Sequence, residues 1–259
     1  MGALRFRSIQ FRLRSLLLVV AIICAPLAWL SWIMQMKRAE RGAVAALERL
    51  GGEVLYDWQV DEDLLALKAP TPRHPAWLRT VFGDDILARP LVVSLPSEWV
   101  FANSASDGAI GDSDLDLLKD LPRLRALTVY SSNVTDDGLK VLARLTGIRR
   151  LSLLTPKITV TTLEELQLLP ELDTLSLAHC KLSGEDILHV SKLQRLKRLE
   201  LEDDELTDAD ILPLASITGL RELTVSSPSV SREIKRKLSA ALPGCAVLIQ
   251  RVGWTQVPE

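Results

Sequence analysis

A repeat with a fixed period of 24 residues is the feature that most constrains how this chain of 259 residues can fold. Five segments of the form apolar-x-x-apolar-x-apolar occur in one register, and they begin at Leu124, Ile148, Leu172, Leu196 and Leu220. Self-similarity of this kind is typical of a solenoid, in which each unit buries its apolar face only by stacking on its neighbours. The sequence therefore predicts a stack of repeats.

Each unit changes its hydrophobic period from two to between three and four. An apolar residue and a hydroxyl residue, such as Val134 and Thr135, follow each alternating segment, and the hydroxyl residue is a candidate helix N-cap. Apolar residues then recur at steps of three, as in Leu139, Leu142 and Leu145. Over seven such columns in five units, 34 of 35 positions are apolar and only Lys235 is not. The pattern predicts an α/β fold in which parallel strands alternate with helices.

The units resemble the leucine-rich repeat, with the form L-x-x-L-x-L-x-x-(N/C)-x-L-(S/T). The strings Val134-Thr135-Asp136-Asp137-Gly138-Leu139 and Leu206-Thr207-Asp208-Ala209-Asp210-Ile211 look like its I-T-D-x-G-L variety. The resemblance implies a right-handed solenoid, a horseshoe segment with strands on the concave face and helices on the convex face. Family repeats carry Asn or Cys at the ninth position, but this chain has a mixed set there: Ser132, Pro156, Cys180, Asp204 and Pro228.

Strand residues that alternate with the core leucines should point to the concave face. We take seven of them as the candidate partner-binding surface, because exposed aromatic and Arg side chains often anchor interfaces. Tyr130, Leu154 and Arg150 are expected to form an amphipathic end, and Glu200, Glu202 and Glu222 an acidic end. The full set is Tyr130, Arg150, Leu154, Arg198, Glu200, Glu202 and Glu222.

An apolar run near the N-terminus predicts one transmembrane helix over residues 15–36. No charged side chain occurs from Ser15 to Met36, and 19 nearly uniformly apolar residues match a hydrocarbon core of about 30 Å. A cleaved signal peptide is the alternative, but Pro26 stands at the third position before the only candidate cut, after Ala28. We expect an anchor in the cell membrane, with the N-terminus in the cytoplasm and the repeats outside it, because long domains translocate largely regardless of charge.

These features divide the chain into five parts. Residues 1–14 form a basic tail, 15–36 the membrane helix, and 37–91 a juxtamembrane helix followed by an N-terminal cap. Residues 92–245 hold the leucine-rich repeats, with the period of 24 starting at residue 124. Residues 246–259 form a C-terminal cap strand and tail. The N-terminal part also resembles bacterial single-pass membrane proteins that carry leucine-rich repeats, on short strings such as Phe11-Arg12-Leu13-Arg14-Ser15-Leu16.

Net charge argues against nucleic acid as a partner. The whole chain carries a net charge of −2, and residues 42–259 carry 24 basic and 32 acidic side chains. An acidic body lacks the clustered Lys and Arg that supply affinity for a phosphate backbone. The membrane, through residues 15–36, and an unidentified protein or other macromolecule, through the concave face, are the expected partners.

Neither a metal site nor a cofactor is predicted. Asp112, Asp114 and Asp116 resemble the start of a calcium loop, but Arg123 stands where a bidentate Glu belongs, so charges at a helix N-terminus are the better interpretation. His179-Cys180 lacks the further ligands of a zinc site, and Cys180 is better explained as a turn residue.

Three hypotheses for function follow from these observations. The first is a membrane-anchored leucine-rich-repeat protein that presents an extracytoplasmic protein-binding surface. The second is a structural or spacer protein of the envelope without a specific ligand. The third, an enzyme, is disfavoured because no catalytic motif is visible, so no catalytic activity is expected.

Overall fold

An eight-stranded sheet with the strand order β1 to β8 forms the centre of the computed structural model. The structure describes residues 13–68, 70, 75, 77, 88–95, 110–155, 158–202 and 205–250. Strand β1 pairs with β2 in the antiparallel sense, and every later pair is parallel. The strands are β1 (Glu53–Tyr56), β2 (Pro90–Leu95), β3 (Ala126–Tyr130), β4 (Arg150–Leu154), β5 (Thr174–Ala178), β6 (Arg198–Glu202), β7 (Glu222–Ser226) and β8 (Ala246–Gln250).

A helical segment follows the sheet strand in each repeat. The helices are α1 (Leu13–Arg49), α2 (Asp112–Leu115), α3 (Asp136–Leu139), α4 (Val160–Leu166), α5 (Gly184–Val190), α6 (Asp208–Ile211) and α7 (Arg232–Ala241). Three of them continue directly into 3₁₀ turns, at Asp116–Asp120, Lys140–Arg144 and Leu212–Ser216. The predicted α/β fold with a parallel sheet is confirmed.

Strand pairing follows the 24-residue period without a shift. Leu127 pairs with Leu151, Leu151 with Leu175, and Leu175 with Leu199. Of the 34 apolar positions in the repeat columns, 33 are buried and Ala241 alone is exposed. The apolar columns therefore form one continuous core between the sheet and the helices.

Repeats with apolar residues at steps of three form either a short α-helix that continues into a 3₁₀ turn, as at α3, or a seven-residue α-helix, as at α4 and α5. A 3₁₀ helix has three residues per turn, so steps of three, as in Leu139, Leu142 and Leu145, keep one face toward the sheet without drift. The last repeat differs, because Ile234, Leu238 and Leu242 recur at steps of four and are all buried. That spacing fits the regular ten-residue helix α7.

Helix α1 is one continuous helix of 37 residues. It spans the residues predicted as a membrane helix, 15–36, and the first part of the juxtamembrane segment that starts at residue 37, with no helix breaker between them. The helix ends where Gly51 takes a φ of 79° and the Gly52 amide donates to the Leu47 carbonyl at 2.9 Å.

The alternation of Val54, Tyr56, Trp58 and Val60 would allow a strand as far as Val60, but the strand in the structure ends earlier. Strand β1 ends at Tyr56, because the Gln59 side chain accepts a hydrogen bond from the Tyr56 amide at 2.8 Å and the Gln59 amide donates to the Tyr56 carbonyl. Trp58 therefore lies in a turn. Residues 57–68, here called the cap segment, leave the sheet edge at this point.

The chain divides after Gly42 into two units. In the first, Lys37 and Glu40 of α1 form an ion pair at 2.7 Å. Within the part of the chain that the structure describes, no helix is long and apolar enough to cross a membrane. The basic tail up to residue 12 and the C-terminal tail 251–259 lie outside the described residues.

Candidate functional site

The face of the sheet opposite the helices, which the sequence predicts to be concave, is here called the open face. In β4 to β7, buried core residues alternate with half-buried or exposed residues that lie on this face. All seven candidate residues lie on it, as the period of two predicts. Their role in binding stays a prediction.

The structure separates the candidates into two edges of the open face. Tyr130 and Leu154 pair with each other at the C-terminal ends of β3 and β4, whereas Arg150 begins β4. Four residues of strand separate Arg150 from Leu154, which is about 13 Å at about 3.3 Å per residue. The expected amphipathic end that joins Arg150 to Tyr130 and Leu154 is therefore wrong.

The expected acidic end is also smaller than predicted. Arg198 Nε donates to Glu222 Oε2 at 2.7 Å, so Glu222 belongs to an ion pair at the N-terminal edge. Glu200 and Glu202 lie farther along β6 and form no ion pair with the residues that the structure describes. They alone remain as an acidic pair on the open face.

The cap segment covers one end of the open face. Val60 and Ala126 are buried together with Val92 in a small second core, and Leu64 packs against it. Ala126, which alternates with the core residues of β3 and so belongs to the open face, is therefore only 3% exposed. The sequence did not reveal this cover, because Trp58 and Val60 continue the alternation of β1 and do not show that the chain leaves the sheet after Tyr56.

A groove of about 290 Å³ lies between the cap segment and the starts of β4 to β7. Its lining residues are Glu62, Asp63, Leu64, Arg149, Arg150, Asp173, Thr174, Lys197, Arg198, Arg221 and Glu222. Two of the seven candidates, Arg198 and Glu222, pair within it, and a third, Arg150, lines it. The groove thus gathers charges that are far apart in the sequence.

Some charges in the groove have partners and others have none. Arg149 pairs with Glu171 at 3.4 Å, and Lys197 with Asp173 at 3.4 Å. Among the described residues, Arg150, Arg221, Glu62 and Asp63 form no side-chain hydrogen bond or ion pair, and Arg150 is half-buried. The groove therefore presents unpaired charges of both signs.

Asp112, which lies in the first turn of α2 as expected for a charge at a helix N-terminus, also links two repeats. Its carboxylate accepts hydrogen bonds from the amide and the hydroxyl of Thr135, both at 2.7 Å. Asp114 accepts from the Gly111 amide at 2.9 Å, within the same helix start. No group of three or more His, Cys, Asp or Glu residues that could hold a metal ion occurs in the described ranges.

The same link recurs along the solenoid where the first helical residue is Asp. Asp136 accepts from the Thr159 amide and hydroxyl, and Asp208 accepts from the same groups of Ser231. The sequence contains this signal as an Asp followed 23 residues later by Thr or Ser. These carboxylates serve the fold and are not available to a ligand.

Cysteine and hydroxyl side chains satisfy the backbone where the repeats turn. Cys180 is 1% exposed, and its Sγ donates to the Leu153 carbonyl of the previous repeat at 3.6 Å, as expected of a turn residue. Ser131 and Ser227, one position earlier in their repeats, donate to the carbonyls of Ile110 and Leu206. In these two repeats a serine at position eight makes the kind of bond to the previous repeat that Cys180 makes from position nine.

The remaining thiol near the groove is not activated. Burial, and to a smaller extent the nearby Glu222 carboxylate, raises the pKa of the Cys245 thiol above its ordinary value of 9.0. A raised pKa keeps the thiol protonated at neutral pH, whereas a nucleophilic cysteine needs a lowered one. Cys245 therefore does not have the properties of a catalytic nucleophile.

Comparison with known proteins gives similarity to solved structures only. The sequence matches no protein-family model and no curated protein. A leucine-rich-repeat protein of Leptospira interrogans, LIC12759, is 21% identical over 51% of this chain and 38% of that chain, with a TM-score of 0.36. An internalin (inlF) from Listeria monocytogenes is 14% identical over 60% of this chain and 68% of that chain, with a TM-score of 0.30.

The match covers well under half the length of LIC12759. Both similarities are too distant to carry a functional argument. The fold of this chain follows from its own geometry, an α/β arrangement with a parallel sheet and a constant register of 24 residues. That architecture is consistent with a leucine-rich-repeat solenoid.

Proposed function

We propose that this chain is a membrane-anchored leucine-rich-repeat protein whose open face binds another protein outside the cytoplasm. The repeats form a right-handed solenoid that holds the open face, and residues 15–36 hold the solenoid at the membrane. The chain acts as an interaction scaffold and not as an enzyme.

One observation supports the binding role most directly. The helix-facing side chains of the sheet, such as Leu151, Leu175 and Leu199, are fully buried, whereas the open face of β4 to β7 is half-buried or exposed. The open face thus offers a surface whose side chains are not needed for the core and are accessible to a partner. Tyr130 and Leu154 supply apolar contact area at one edge, and charged groups line the other.

The membrane anchor is supported by the sequence. The segment from Ser15 to Met36 has no charged side chain and is long enough for a bilayer core of about 30 Å. It precedes 223 residues, and domains of that length are exported largely regardless of local charge. These two arguments place the repeats outside the cytoplasm in our proposal.

Capture of partners from a detergent extract tests the binding surface. The wild-type chain is compared with a Tyr130→Ala/Leu154→Ala variant and with a matched control, Leu188→Ala/Leu212→Ala, which changes two exposed leucines at equivalent positions on the helix side. Loss of a reproducible partner with the first variant, but not with the control, supports the proposal. A partner retained equally by all three chains would remove the open face from consideration.

If no partner is captured by any of the chains, the spacer hypothesis becomes the better account. The solenoid would then only set a distance from the membrane. That outcome contradicts the binding role and leaves the fold unaffected.

Two reporter fusions behind Glu259 test the orientation. Alkaline phosphatase is active only after export, so its fusion should be active, whereas green fluorescent protein exported as an unfolded chain should stay dark. The reverse pair of results would place the repeats in the cytoplasm.

A further inference from the structure

We infer that the groove at the N-terminal edge of the open face binds a peptide segment that carries one acidic and one basic side chain. This inference rests on the proposed function and names the chemistry of the partner at one part of the open face. It follows from the position of two arginines, from the charges that lack partners, and from the way the cap segment is held.

Two arginines flank a small residue at the floor of the groove. Arg150 pairs with Thr174, and Thr174 pairs with Arg198, so the three lie side by side on adjacent strands. At about 4.8 Å between strands, the two arginines are about 10 Å apart at their Cα atoms. The short side chain of Thr174 leaves room for a ligand between Arg150 on β4 and Arg198 on β6, and the Arg198 side chain leans toward Glu222 on β7.

The charge state of this pair favours a carboxylate. Arg150 is half-buried and has no partner among the described residues, and burying an unpaired charge is costly. Arg198 uses Nε for Glu222, which leaves its terminal nitrogens for a ligand. Guanidinium groups bind carboxylates with two parallel hydrogen bonds, so a carboxylate above Thr174 gives Arg150 the partner that it lacks, and Arg198 adds positive charge beside it.

The opposite wall has the other sign. Glu62 and Asp63 lie at the tip of the cap segment, and in the described part of the chain neither has an ion-pair partner. A ligand with only acidic groups would meet repulsion from these carboxylates, and a ligand with only basic groups would meet repulsion from the arginines. A peptide of mixed charge meets neither.

The tip of the cap segment is held in place before any ligand arrives. The Leu65 amide donates to Asp61 Oδ1 at 2.8 Å, and the Leu64 amide donates to the Asp61 carbonyl at 3.1 Å. Leu64 itself takes a φ of 59°, a left-handed conformation unusual for this residue, while it packs on the small core with Val60. A fixed tip lowers the entropy that binding must overcome.

Titration calorimetry on the full chain in detergent micelles tests the inference with four end-blocked pentapeptides. The probes are Gly-Glu-Gly-Lys-Gly, Gly-Glu-Gly-Glu-Gly, Gly-Lys-Gly-Lys-Gly and Gly-Gln-Gly-Gln-Gly. The mixed-charge peptide should bind at least about tenfold more tightly than each of the others. Arg150→Gln should weaken its binding by about tenfold or more, because a charged hydrogen bond is lost.

One further variant tests the acidic wall of the groove, and another serves as a control. Glu62→Gln/Asp63→Asn should weaken the mixed-charge peptide and strengthen the all-acidic one, since repulsion is removed. Arg236→Gln, on the exposed face of α7, is the matched control and should change nothing.

Equal binding of all four peptides, tighter binding of the all-acidic peptide to the wild type, or no heat from any peptide at about 5 mM would overturn the inference. A different experiment, the capture of partners, decides whether the proposed function itself holds. It stands if the Tyr130→Ala/Leu154→Ala variant loses its partner while the pentapeptides do not bind, and it falls if capture is unchanged by every open-face variant.

Discussion

Replacing Asp136 by alanine is expected to destabilise the junction between the repeats that contain α3 and α4. The Asp136 carboxylate accepts three hydrogen bonds from the next repeat, from the Thr159 amide at 3.0 Å and from the hydroxyls of Thr159 and Thr162 at 2.5 Å. It therefore adds a side-chain link between two units that are already joined by the β3–β4 ladder and by the leucine core.

The size of the effect follows from the burial of the groups left behind. Thr162 is 1% exposed, and its hydroxyl donates to the Asp136 carboxylate. Removing that acceptor leaves a buried hydroxyl without its partner, which costs about 1–3 kcal/mol. Thr159 is exposed, and water can replace its lost bonds, so these add about 1 kcal/mol. The free energy of unfolding should fall by about 2–4 kcal/mol, a large part of the stability of a typical domain.

The same contacts make this contribution depend on pH. Burial acts to raise the pKa of Asp136, but hydrogen bonds from Thr159 and Thr162 outweigh it and hold the pKa below its ordinary value of 3.8. A carboxylate whose pKa is lower in the folded state than in the unfolded state stabilises the folded protein at pH values above the unfolded-state pKa. This stabilisation is lost as the pH falls through the folded-state pKa. The difference between wild type and variant should be constant near neutral pH and shrink below 3.8.

Denaturant unfolding followed by far-ultraviolet circular dichroism measures the loss as a lower midpoint. Asp137→Ala is the matched control, because Asp137 lies in the same helical turn but holds only an exposed ion pair with Lys140. Surface pairs contribute little, so the control should stay close to the wild type. Equal destabilisation by the two variants would refute the reasoning, since it would show that the links between repeats add nothing.

Two further substitutions test the packing. Leu175→Asp, at a fully buried position, should abolish cooperative unfolding of the full chain in circular dichroism, because an unpaired buried carboxylate costs several kcal/mol; an unfolding curve like that of the wild type would contradict the core. Gly138→Ala should lower the unfolding midpoint more than Gly184→Ala, because a Cβ at Gly138 would meet the backbone of Asp112 at 2.8 Å. At Gly184 a Cβ would meet only the side chain of Asp210, which can move. A larger loss of stability from Gly184→Ala than from Gly138→Ala would contradict the close approach of the repeats at Gly138.

The sequence predicted the stacked repeats well because the apolar residues that form the core recur with a fixed period. A change of period from two to three within each unit assigns strands, helices and core columns directly, and the shift to steps of four at Ile234 predicts the different last helix. The links made by Asp112, Asp136 and Asp208 were also visible as a spacing of 23 residues to the next hydroxyl. Hydrophobic periodicity does not predict them, because they join polar residues of one repeat to polar residues of the next.

The groove was not predictable in the same way. Alternation along a strand tells which face a residue occupies, but it does not tell which residues of that face lie close together. Arg150 and Tyr130 were grouped although about 13 Å of strand separates them. The sequence does not predict where the cap segment lies. Glu62 and Asp63 reach the groove because the chain turns back after β1, and no local sequence pattern predicts that turn.

Photo-crosslinking from defined positions tests the claim that the open face is the binding surface. Benzoylphenylalanine is introduced at Ser152 or Ser176, half-buried on the open face, and at Glu164 or Leu188, exposed on the helix side. Irradiation in intact cells should yield a discrete adduct of higher mass from the two open-face positions and none from the helix-side positions. An adduct that forms only from Glu164 or Leu188 would contradict the account.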